Sequence, residues 1–573
     1  MNGNAHQQGP IVSHEGWQYT AFYTESGEIN GAGAPIRNVS LGRRALPDGE
    51  WEVMTLRDYA QTKNDPHNVV AIGLSASDGR IHLAFDMHAE PLHYRQSLPG
   101  VLEDPAATAW TPELFGPVQD FLEEPGAPVD VVTYPRFVMK PSGGLLLELR
   151  KGGSGSGDSL LWDYENGAWE ARGVFVSGTS SDTTRPNENA YYNGIQYDGN
   201  GRLHATWTWR ETPDPVTNHD LMYLYSDDDG RTWHRNDGER AAVTGVDPVR
   251  PDTPGVTVWE IPQGSDVGNQ EGQWVDQEGR VHVTMRDDDS GVREHVHYFR
   301  DLEGTWHQNR TGIAHTGRSK IVTDKMGNAF ILTAGLQVLA ATSEADYADW
   351  RVAREPVAGL GPEPLFDPVL AADQGLLSVF IPEVLPGGFA PSTGVIHVKD
   401  FAFSYPVSSL QVSVSGEPAI DASIIVSVRA LDEYGNEVGA IDDDDVLITS
   451  SDASDVISQR EVRLGQAGER RLTVALDGVD VTGYVDLTVP ADAGEPEPTS
   501  TPTVEPTSTP TVDASAEPAP TSTANPSSAT ATGDLAATGG SSPAPFAIGA
   551  AILALLGAVA VVIARARNRA GTR

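Results

Sequence analysis

The sequence predicts an all-β protein whose largest domain is a seven-bladed β-propeller. Glycine and proline are frequent, at 59 and 40 of 573 residues, which is typical of chains with many tight turns. A unit made of a turn and a strand recurs seven times before residue 403, and strands that open with tryptophan alternate with these units. Two interleaved strand series fit the four-stranded sheets of propeller blades, so we assign residues 1–403 to this domain.

One hairpin of this domain carries a more specific signature. Ser226–Trp233 reads S-x-D-x-G-x-T-W, which resembles the Asp-box of sialidase-like propellers. Aspartate and glycine favour a tight turn there, and tryptophan suits a buried position beneath it. The box forms a structural turn, so it supports the fold and carries no information about catalysis.

Three further segments follow the propeller. Residues 404–491 contain short alternating strands at close spacing, which predicts an immunoglobulin-like β-sandwich that serves as a spacer. Residues 492–534 consist mainly of Pro, Thr, Ser, Ala and acidic residues, so we expect a disordered stalk without a core. Residues 535–573 hold an uncharged stretch long enough for a transmembrane helix, followed by a basic tail.

The last segment also contains the motif LAATG, at Leu535–Gly539. A motif of this kind before an apolar stretch and a basic tail resembles the cell-wall sorting signal of Gram-positive bacteria. The resemblance implies cleavage by sortase between Thr538 and Gly539 and attachment to peptidoglycan; a plain single-pass anchor is the alternative. Both place the propeller outside the cell, and because no signal peptide is visible, we expect a truncated N-terminus.

Charge and cysteine content restrict the possible functions. The formal net charge is −41, and Lys and Arg form no cluster before the C-terminus, which argues against nucleic-acid binding. An acidic ligand would therefore need a local cationic pocket. The chain has no cysteine, which excludes disulfides, thiolate catalysis and cysteine-ligated zinc. We also expect the protein to be monomeric.

Three histidines lie in or beside one strand of the second repeat unit. His82 lies within the strand, and the repeat places His204 and His282 at the same position, so we expect a packing or hydrogen-bonding role. His67 precedes the strand and His88 follows it, in loops at the rim of the propeller, where binding groups concentrate. We predict that this strand is innermost in its blade, so that both loops border the central funnel.

A second segment has the same arrangement. Tyr191 and Tyr192 precede a predicted inner strand, and Arg210 follows it. A guanidinium binds a carboxylate through two parallel hydrogen bonds. Arginine beside tyrosine hydroxyls and histidines therefore suits a carboxylated sugar.

Three phrases of the sequence together resemble a known family. They read DPHNVVAIGLSASDGRIHLAFDMHAEPLHYR, GRLHATWTWRETPDPVTNHDL and YSDDDGRTW. They are similar to the BNR-repeat propellers that include polysaccharide lyases acting on ulvan, a sulfated algal polymer containing uronic acid. The similarity covers residues 10–400.

The resemblance implies a set of site residues. An active site of two histidines, an arginine and a tyrosine falls on His67, His88, Arg210 and Tyr191, with Tyr192 as the alternative tyrosine. The residues expected to bind substrate are Asn68, Tyr192, Arg136 and Arg318. The resemblance also implies a structural metal ion, for which a chain without cysteine offers histidines such as His282, His295 and His297. The metal ligands stay unknown, and the chemistry itself requires no cofactor.

These residues suit β-elimination at a uronate. Arg210 would neutralise the carboxylate, one histidine and Tyr191 would exchange protons with the substrate, and the other histidine would orient it. The predicted function is a cell-surface lyase that cleaves an acidic, ulvan-like polysaccharide. Two alternatives stay open, a non-catalytic surface lectin or adhesin for acidic glycans and a sialidase-like glycoside hydrolase.

Overall fold

The computed structural model describes Asn2, Asn4 and residues 9–491, with gaps at 124–125, 289, 325–326, 344, 385–394, 403–406, 432–440, 442–445 and 477–478. Within these residues the protein is all-β, with one α-helix, α1, at Pro368–Gln374. Single-turn 3-10 helices lie at Pro112–Leu114, Pro215–Thr217 and Ala334–Leu336. The predicted stalk, transmembrane helix and sorting residues Thr538 and Gly539 lie outside this part of the chain. No helix within it is both long and apolar enough to cross a membrane.

Seven antiparallel sheets follow one another along the described residues between Ile11 and Ala402. Sheet 1 comprises β1 Ile11–His14, β2 Trp17–Ile29, β3 Pro35–Ala45 and β4 Glu52–Gln61. Sheet 2 comprises β5 Val70–Ser75, β6 Arg80–Phe85 and β8 Tyr94–Gln96. Sheet 3 comprises β9 Val132–Met139, β10 Leu145–Lys151, β11 Asp158–Glu165 and β12 Ala168–Val176. The short strand β7 His88–Glu90, which lies between β6 and β8 in the chain, pairs with β9 of sheet 3. Sheet 4 comprises β13 Asn189–Tyr197, β14 Leu203–Arg210, β15 Asn218–Ser226, β16 Thr232–His234, β17 Arg240–Val243 and β18 Thr257–Trp259.

The remaining three sheets of this region have three or four strands each. Sheet 5 comprises β19 Gly272–Val275, β20 Val281–Asp287, β21 Glu294–Arg300 and β22 Trp306–Ala314. Sheet 6 comprises β23 Lys320–Thr323, β24 Ala329–Thr333, β25 Gln337–Ala341 and β26 Arg351–Arg354. Sheet 7 comprises β27 Leu365–Phe366, β28 Leu376–Pro382 and β29 Ile396–Ala402.

The first strand of every sheet faces a central cavity of about 350 Å³. Its wall includes Val12 from β1, Ile72 from β5, Val138 from β9 and Ile195 from β13, and β19, β23 and β27 complete it. The strands after the repeated glycine turns, such as β6 and β14, are therefore second strands, and their predicted innermost position is wrong. Each glycine turn closes the first hairpin of its sheet, so the inner strand is the one that precedes the turn.

The last sheet of this region packs against the first. Asp367, just before α1, accepts hydrogen bonds from Ser13 Oγ at 2.5 Å and Gln18 Nε2 at 2.8 Å. Arg44 Nη2 donates to Asp400 Oδ1 at 2.8 Å. These contacts join segments separated by more than 300 residues, so sheet 7 packs against sheet 1.

The repeated histidines lie inside the sheets, as predicted. His82 Nδ1 lies 2.7 Å from the Tyr94 hydroxyl, and His204 Nδ1 lies 2.9 Å from the Tyr223 hydroxyl. His82 and His204 are both buried. A buried imidazole needs a hydrogen-bond partner, and the neighbouring strand supplies it. The expected hydrogen-bonding role of His82 is confirmed.

The Asp-box forms the hairpin between β15 and β16. Ser226 Oγ accepts a hydrogen bond from the backbone N–H of Gly230 at 2.9 Å, and Asp228 Oδ1 accepts one from the N–H of Thr232 at 2.7 Å. Trp233 is fully buried beside Phe175. The box is a structural turn that carries a core tryptophan.

Residues 409–489 form two further sheets. One comprises β30 Ser409–Ser415, β31 Ser423–Leu431, β33 Val456–Ser458 and β34 Glu461–Arg463; the other comprises β32 Val446–Ser450, β35 Gly468–Leu476 and β36 Val479–Val489. Exposed and buried residues alternate along β31, and Ile424 and Val426 join Val474 of β35 in one apolar core. The immunoglobulin-like classification of this pair of sheets stays a prediction.

Candidate active site

The predicted catalytic residues lie at one end of the sheets because the first two strands of each sheet are antiparallel. We call this end the rim. A chain that enters the first strand of an antiparallel sheet at one end leaves the second strand at the same end. In sheet 4, Asn189 at the start of β13 pairs with Arg210 at the end of β14. In sheet 2, Val70 pairs with Phe85, so the segments with His67 and His88 flank the same edge.

His67 and His88 form a pair held by one carboxylate. His67 Nδ1 lies 2.6 Å from Asp65 Oδ1, and His88 Nδ1 lies 2.7 Å from Asp65 Oδ2. The two imidazole centroids are 4.1 Å apart, with an angle of 26° between the rings. Because an ionised carboxylate only accepts hydrogen bonds, each Nδ1 carries a proton, and a ring in its neutral form has Nε2 as its basic nitrogen.

The ionisation of this group follows from its contacts. Burial raises the pKa of Asp65, but hydrogen bonds from the His67 backbone and from both imidazoles outweigh burial and lower the pKa to about 2. Burial lowers the pKa of His67, and the hydrogen bond to Asp65 only partly opposes this. Asp65 is therefore a carboxylate and His67 a neutral imidazole near neutral pH.

Tyr134 is a site residue that the sequence analysis missed. Its ring centroid lies 6.0 Å from that of His67 and 6.1 Å from that of Tyr191. Burial raises the pKa of Tyr134 to about 12, with Tyr191 adding to the increase and nearby arginines opposing it. The phenol is thus protonated at neutral pH.

The backbone of Tyr134 explains how its side chain reaches the site. Its φ is +58°, which few residues other than glycine adopt. The register between β9 and β10 shifts here, because Arg136 pairs with Glu148 but Thr133 pairs with Arg150. Such a bulge turns a side chain away from the regular alternation of the strand, and strained residues of this kind concentrate at functional sites.

Arg150 is the second residue that the sequence analysis missed. Its Nη1 donates to the Tyr191 hydroxyl at 3.3 Å, and its Nη2 donates to Thr133 Oγ1 at 3.1 Å. Its guanidinium also lies 4.7 Å from the ring centroid of Tyr134. Arg150 is the penultimate residue of β10 and Arg210 is the last residue of β14, so an arginine near the end of a second strand was the signal that could have found it.

Tyr191 and Arg210 are in contact, as the matching segments suggested. The Arg210 guanidinium lies 5.1 Å from the Tyr191 ring centroid. Arg210 Nε donates to the backbone oxygen of Thr212 at 3.0 Å, and its Nη2 donates to that of Pro213. The Tyr191 hydroxyl also lies 2.7 Å from Ser154 Oγ. Two arginines and one hydroxyl thus surround the phenol of Tyr191.

Tyr192 and Arg136 lie away from this group. Successive residues of a strand face opposite sides, so Tyr192 points into the packing between sheets and stacks on Phe175 at 5.7 Å. Arg136 is buried in an ion pair with Glu148, with 2.8 Å between Nη1 and Oε2, and lines the central cavity. This placement gives no support to the expected substrate contacts of Tyr192 and Arg136.

Asn68 and Arg318 have different surroundings. Asn68 is buried, and its Nδ2 donates to Asp86 Oδ1 at 2.6 Å. This hydrogen bond stabilises the loop that follows β6. Arg318 precedes β23 and pairs with Glu363 at 3.0 Å. The charge of Arg318 lowers the pKa of Tyr134, so it belongs to the electrostatic environment of the site.

Three groups of residues in the described chain have a metal-ligand arrangement. They are Asp65, His67 and His88; Glu271, His295 and His315; and Glu188, Glu211 and His219. The histidines expected to hold a structural metal are divided between two places. His282 Nδ1 lies 3.1 Å from His297 Nε2, whereas His295 lies with Glu271 and His315.

This chain has relatives among known protein families and curated proteins. The sequence profile described as BNR repeat-containing family member matches residues 17–313. The long isoform of ulvan lyase from Alteromonas sp. is 26% identical over an alignment of 245 residues, with a coverage of 35% of this chain and 24% of that protein. Its counterpart from Pseudoalteromonas sp. (strain PLSV) is 25% identical over 249 residues, again 24% of that protein. The matched region thus spans about a quarter of these relatives.

Solved structures also resemble this chain. The polysaccharide lyase Uly1 superposes with a TM-score of 0.53 and 19% identity, over 67% of this chain and 88% of Uly1. A PL25 ulvan lyase bound to -[GlcA(1-4)Rha3S]- has a TM-score of 0.46 and 11% identity, over 75% of this chain and 94% of that lyase. The likeness to Uly1 shows that this chain and Uly1 share an overall fold.

Proposed function

Because this chain belongs to the BNR repeat-containing family, we propose that its propeller is a polysaccharide lyase that cleaves a uronic-acid-containing polymer by β-elimination. One observation carries the proposal. A pair of imidazoles fixed by Asp65 lies at the same rim as two tyrosines and two arginines. This rim combines proton acceptors, proton donors and cationic groups that bind carboxylates.

The reaction needs a base for the proton on C5 of the uronate. His67 suits this role, since burial keeps its imidazole neutral and Asp65 fixes the proton on Nδ1. Its Nε2 takes the C5 proton. The electrons of the C–H bond form the C4–C5 double bond, and the C4–O bond breaks.

The leaving oxygen on C4 needs a proton. Tyr191 supplies it, because its hydroxyl is held by Arg150 and Ser154, and a nearby cation stabilises the phenolate that remains. Water returns the proton to Tyr191 and removes the one on His67. This assignment balances charge without a metal ion or covalent intermediate.

The C5 proton becomes acidic only when the neighbouring carboxylate is neutralised. Arg210 stacks on Tyr191 and uses its planar guanidinium for this purpose, exchanging its bonds to backbone carbonyls for bonds to the uronate. His88, which is stacked on His67, and Tyr134, whose ring lies near those of His67 and Tyr191, orient the sugar.

The proposal is tested by incubating the protein with ulvan and with other uronate polymers while following ultraviolet absorbance. An unsaturated uronate at the new chain end absorbs, so the absorbance should rise and new chain ends should appear at the same rate. New reducing ends without absorbance would show hydrolysis instead. Binding without either product would favour the lectin alternative, for which the cationic rim is equally suitable.

We further propose that the seven sheets are propeller blades and that residues 404–491 are an immunoglobulin-like spacer. The shared central cavity supports the first proposal, and the two sheets around one core support the second. The stalk and a sorting signal at Thr538 and Gly539 would hold the enzyme on a Gram-positive cell wall through sortase and peptidoglycan. Cell fractionation of a Thr538→Ala variant, which should lose covalent wall attachment, tests this location.

A further inference from the structure

The central cavity combines an apolar wall with one polar patch. Its volume of about 350 Å³ lies within the range of small-molecule sites, which is about 300–1,000 Å³. The polar patch consists of Arg136, Asn193 and Lys320. The histidine pair, Tyr191 and Arg210 do not line the cavity, so it is distinct from the candidate active site. The apolar wall includes Val12, Ile72, Val138, Ile195, Leu365 and Phe366.

The three side chains of the polar patch lie close together. Lys320 Nζ donates a hydrogen bond to the backbone oxygen of Glu271, and the backbone N–H of Glu271 donates to Asn193 Oδ1 at 3.3 Å. Burial lowers the pKa of Lys320 to about 8, and the nearby charge of Arg136 adds to this decrease. The patch therefore brings two cations and an amide to one part of a mainly apolar cavity.

Lys320 is a cation without a counter-ion among the residues that the structure describes. The carboxylates near the patch are paired with other groups, in the contacts Glu148–Arg136 at 2.8 Å, Glu363–Arg318 at 3.0 Å and Glu271–His315 at 3.5 Å. A charge removed from water is unfavourable unless an opposite charge or hydrogen bonds compensate it. An anion in the cavity would therefore stabilise the ammonium group of Lys320.

The other amide side chains of the wall serve the packing of the strands. Gln196 exchanges two hydrogen bonds with the backbone of Val275, at 3.3 and 3.1 Å. Gln273 Oε1 accepts a hydrogen bond from Thr206 at 2.7 Å. These groups are satisfied by neighbouring strands. Lys320 differs from them because it carries a charge and donates to a backbone oxygen only.

We propose that the central cavity is a binding site for a small amphipathic monocarboxylate of the medium-chain fatty acid type. Lys320 and Arg136 hold the carboxylate through charge-assisted hydrogen bonds, and the apolar wall covers the chain. Arg136 Nε and Nη2 have no hydrogen-bond partner within the described part of the chain, so this guanidinium retains donors for an anion.

The composition of the wall selects this class of ligand. An inorganic anion would leave the apolar side chains uncovered, and a sugar would place hydroxyl groups against them. A fatty acid matches both parts of the cavity. Because all seven sheets contribute to the wall, the bound ligand also links them and should raise the melting temperature.

The test measures binding of octanoate to the full chain by isothermal titration calorimetry. One octanoate should bind per chain. Acetate lacks the chain and 1-octanol lacks the charge, so each should bind at least about tenfold more weakly. Lys320→Met keeps the length of the side chain and removes its charge, so affinity for octanoate should fall about 10- to 100-fold. Lys399→Met, which changes an exposed lysine of β29, is the matched control and should keep wild-type affinity.

A second measurement uses the wild-type protein alone. With a pKa of about 8, a large fraction of Lys320 is unprotonated at mildly alkaline pH and open to reductive methylation. Octanoate should slow the methylation of Lys320, measured by peptide mass spectrometry, and leave that of Lys399 unchanged. Absence of octanoate binding, equal affinity in folded Lys320→Met, or binding without protection of Lys320 would each overturn the proposal. Neither readout uses a polysaccharide, so the result does not depend on the lyase assay.

Discussion

Asp65 and His88 are 23 residues apart in the sequence, yet His88 Nδ1 lies 2.7 Å from Asp65 Oδ2. The same carboxylate holds His67 through its other oxygen. One side chain therefore sets the orientation and tautomer of both imidazoles, and the proposed proton transfer depends on it.

Asp65→Asn should lower kcat on the polymer by about 10²- to 10⁴-fold, the range expected when a proton-transfer histidine loses its orienting carboxylate. The amide offers only one acceptor oxygen for two imidazole donors. Initial rates of absorbance increase measure the effect, with Asp48→Asn in an exposed turn as the control. An unchanged kcat in a folded Asp65→Asn variant would show that the pair does not transfer protons.

The pH profile should reflect the environment of His67. Burial lowers the pKa of His67 below the usual 6.5. The imidazole therefore stays neutral down to a pH below 6.5, and the rate should stay constant down to the same pH. Asp65 raises the pKa of His67, so Asp65→Asn should move the acid limb to still lower pH. Plots of kcat/KM against pH for both proteins test this, and a limb that moves to higher pH would contradict the assignment of His67.

Tyr191→Phe and Tyr192→Phe should differ sharply. Phenylalanine keeps the ring at position 191 but removes the hydroxyl near Arg150 and Ser154, so kcat should fall by about 10²- to 10⁴-fold. Tyr192 instead stacks on Phe175 on the other side of the strand, so its variant should change melting temperature more than rate. Equal losses of rate in both folded variants would refute the role of Tyr191.

Arg150→Lys tests whether this guanidinium serves the site. Lysine keeps the charge but cannot contact Tyr191 and Thr133 together, so kcat/KM should fall about 10- to 100-fold, as for the loss of one charged hydrogen bond. Arg202→Lys, in a half-exposed pair with Asp227, provides the comparison. If both variants keep wild-type kcat/KM, Arg150 has only a packing role.

Trp233→Ala should destabilise the protein without changing the candidate site. Trp233 is fully buried under the Asp-box turn, and such a truncation costs about 3–5 kcal/mol of unfolding free energy. Urea denaturation followed by tryptophan fluorescence measures it. A loss below about 1 kcal/mol would mean that the surrounding core rearranges to fill the space.

Much of the site could be derived from the sequence because the repeat supplies a frame. The spacing of glycine turns separates His82, inside a strand, from His67 and His88 at its ends. The same frame matches Arg210 to this rim. It did not predict Arg150, which lies one residue before the end of β10.

The remaining site residues depend on details of strand register. Tyr134 reaches the site through a bulge and a positive φ, and no local pattern in the sequence signals either. Tyr191 and Tyr192 are equivalent in sequence, and only the phase of β13 decides which one faces the rim.

The sequence by itself determined the all-β class and the series of glycine turns between successive strands, because turn residues and strand periodicity are local properties. Only the tertiary structure decided which strand of each sheet is innermost, that Asp65 joins two histidines, and that His295 lies with Glu271 and His315. These relations arise where segments distant in sequence are brought to one edge by pairing and packing, and local patterns carry no record of such contacts.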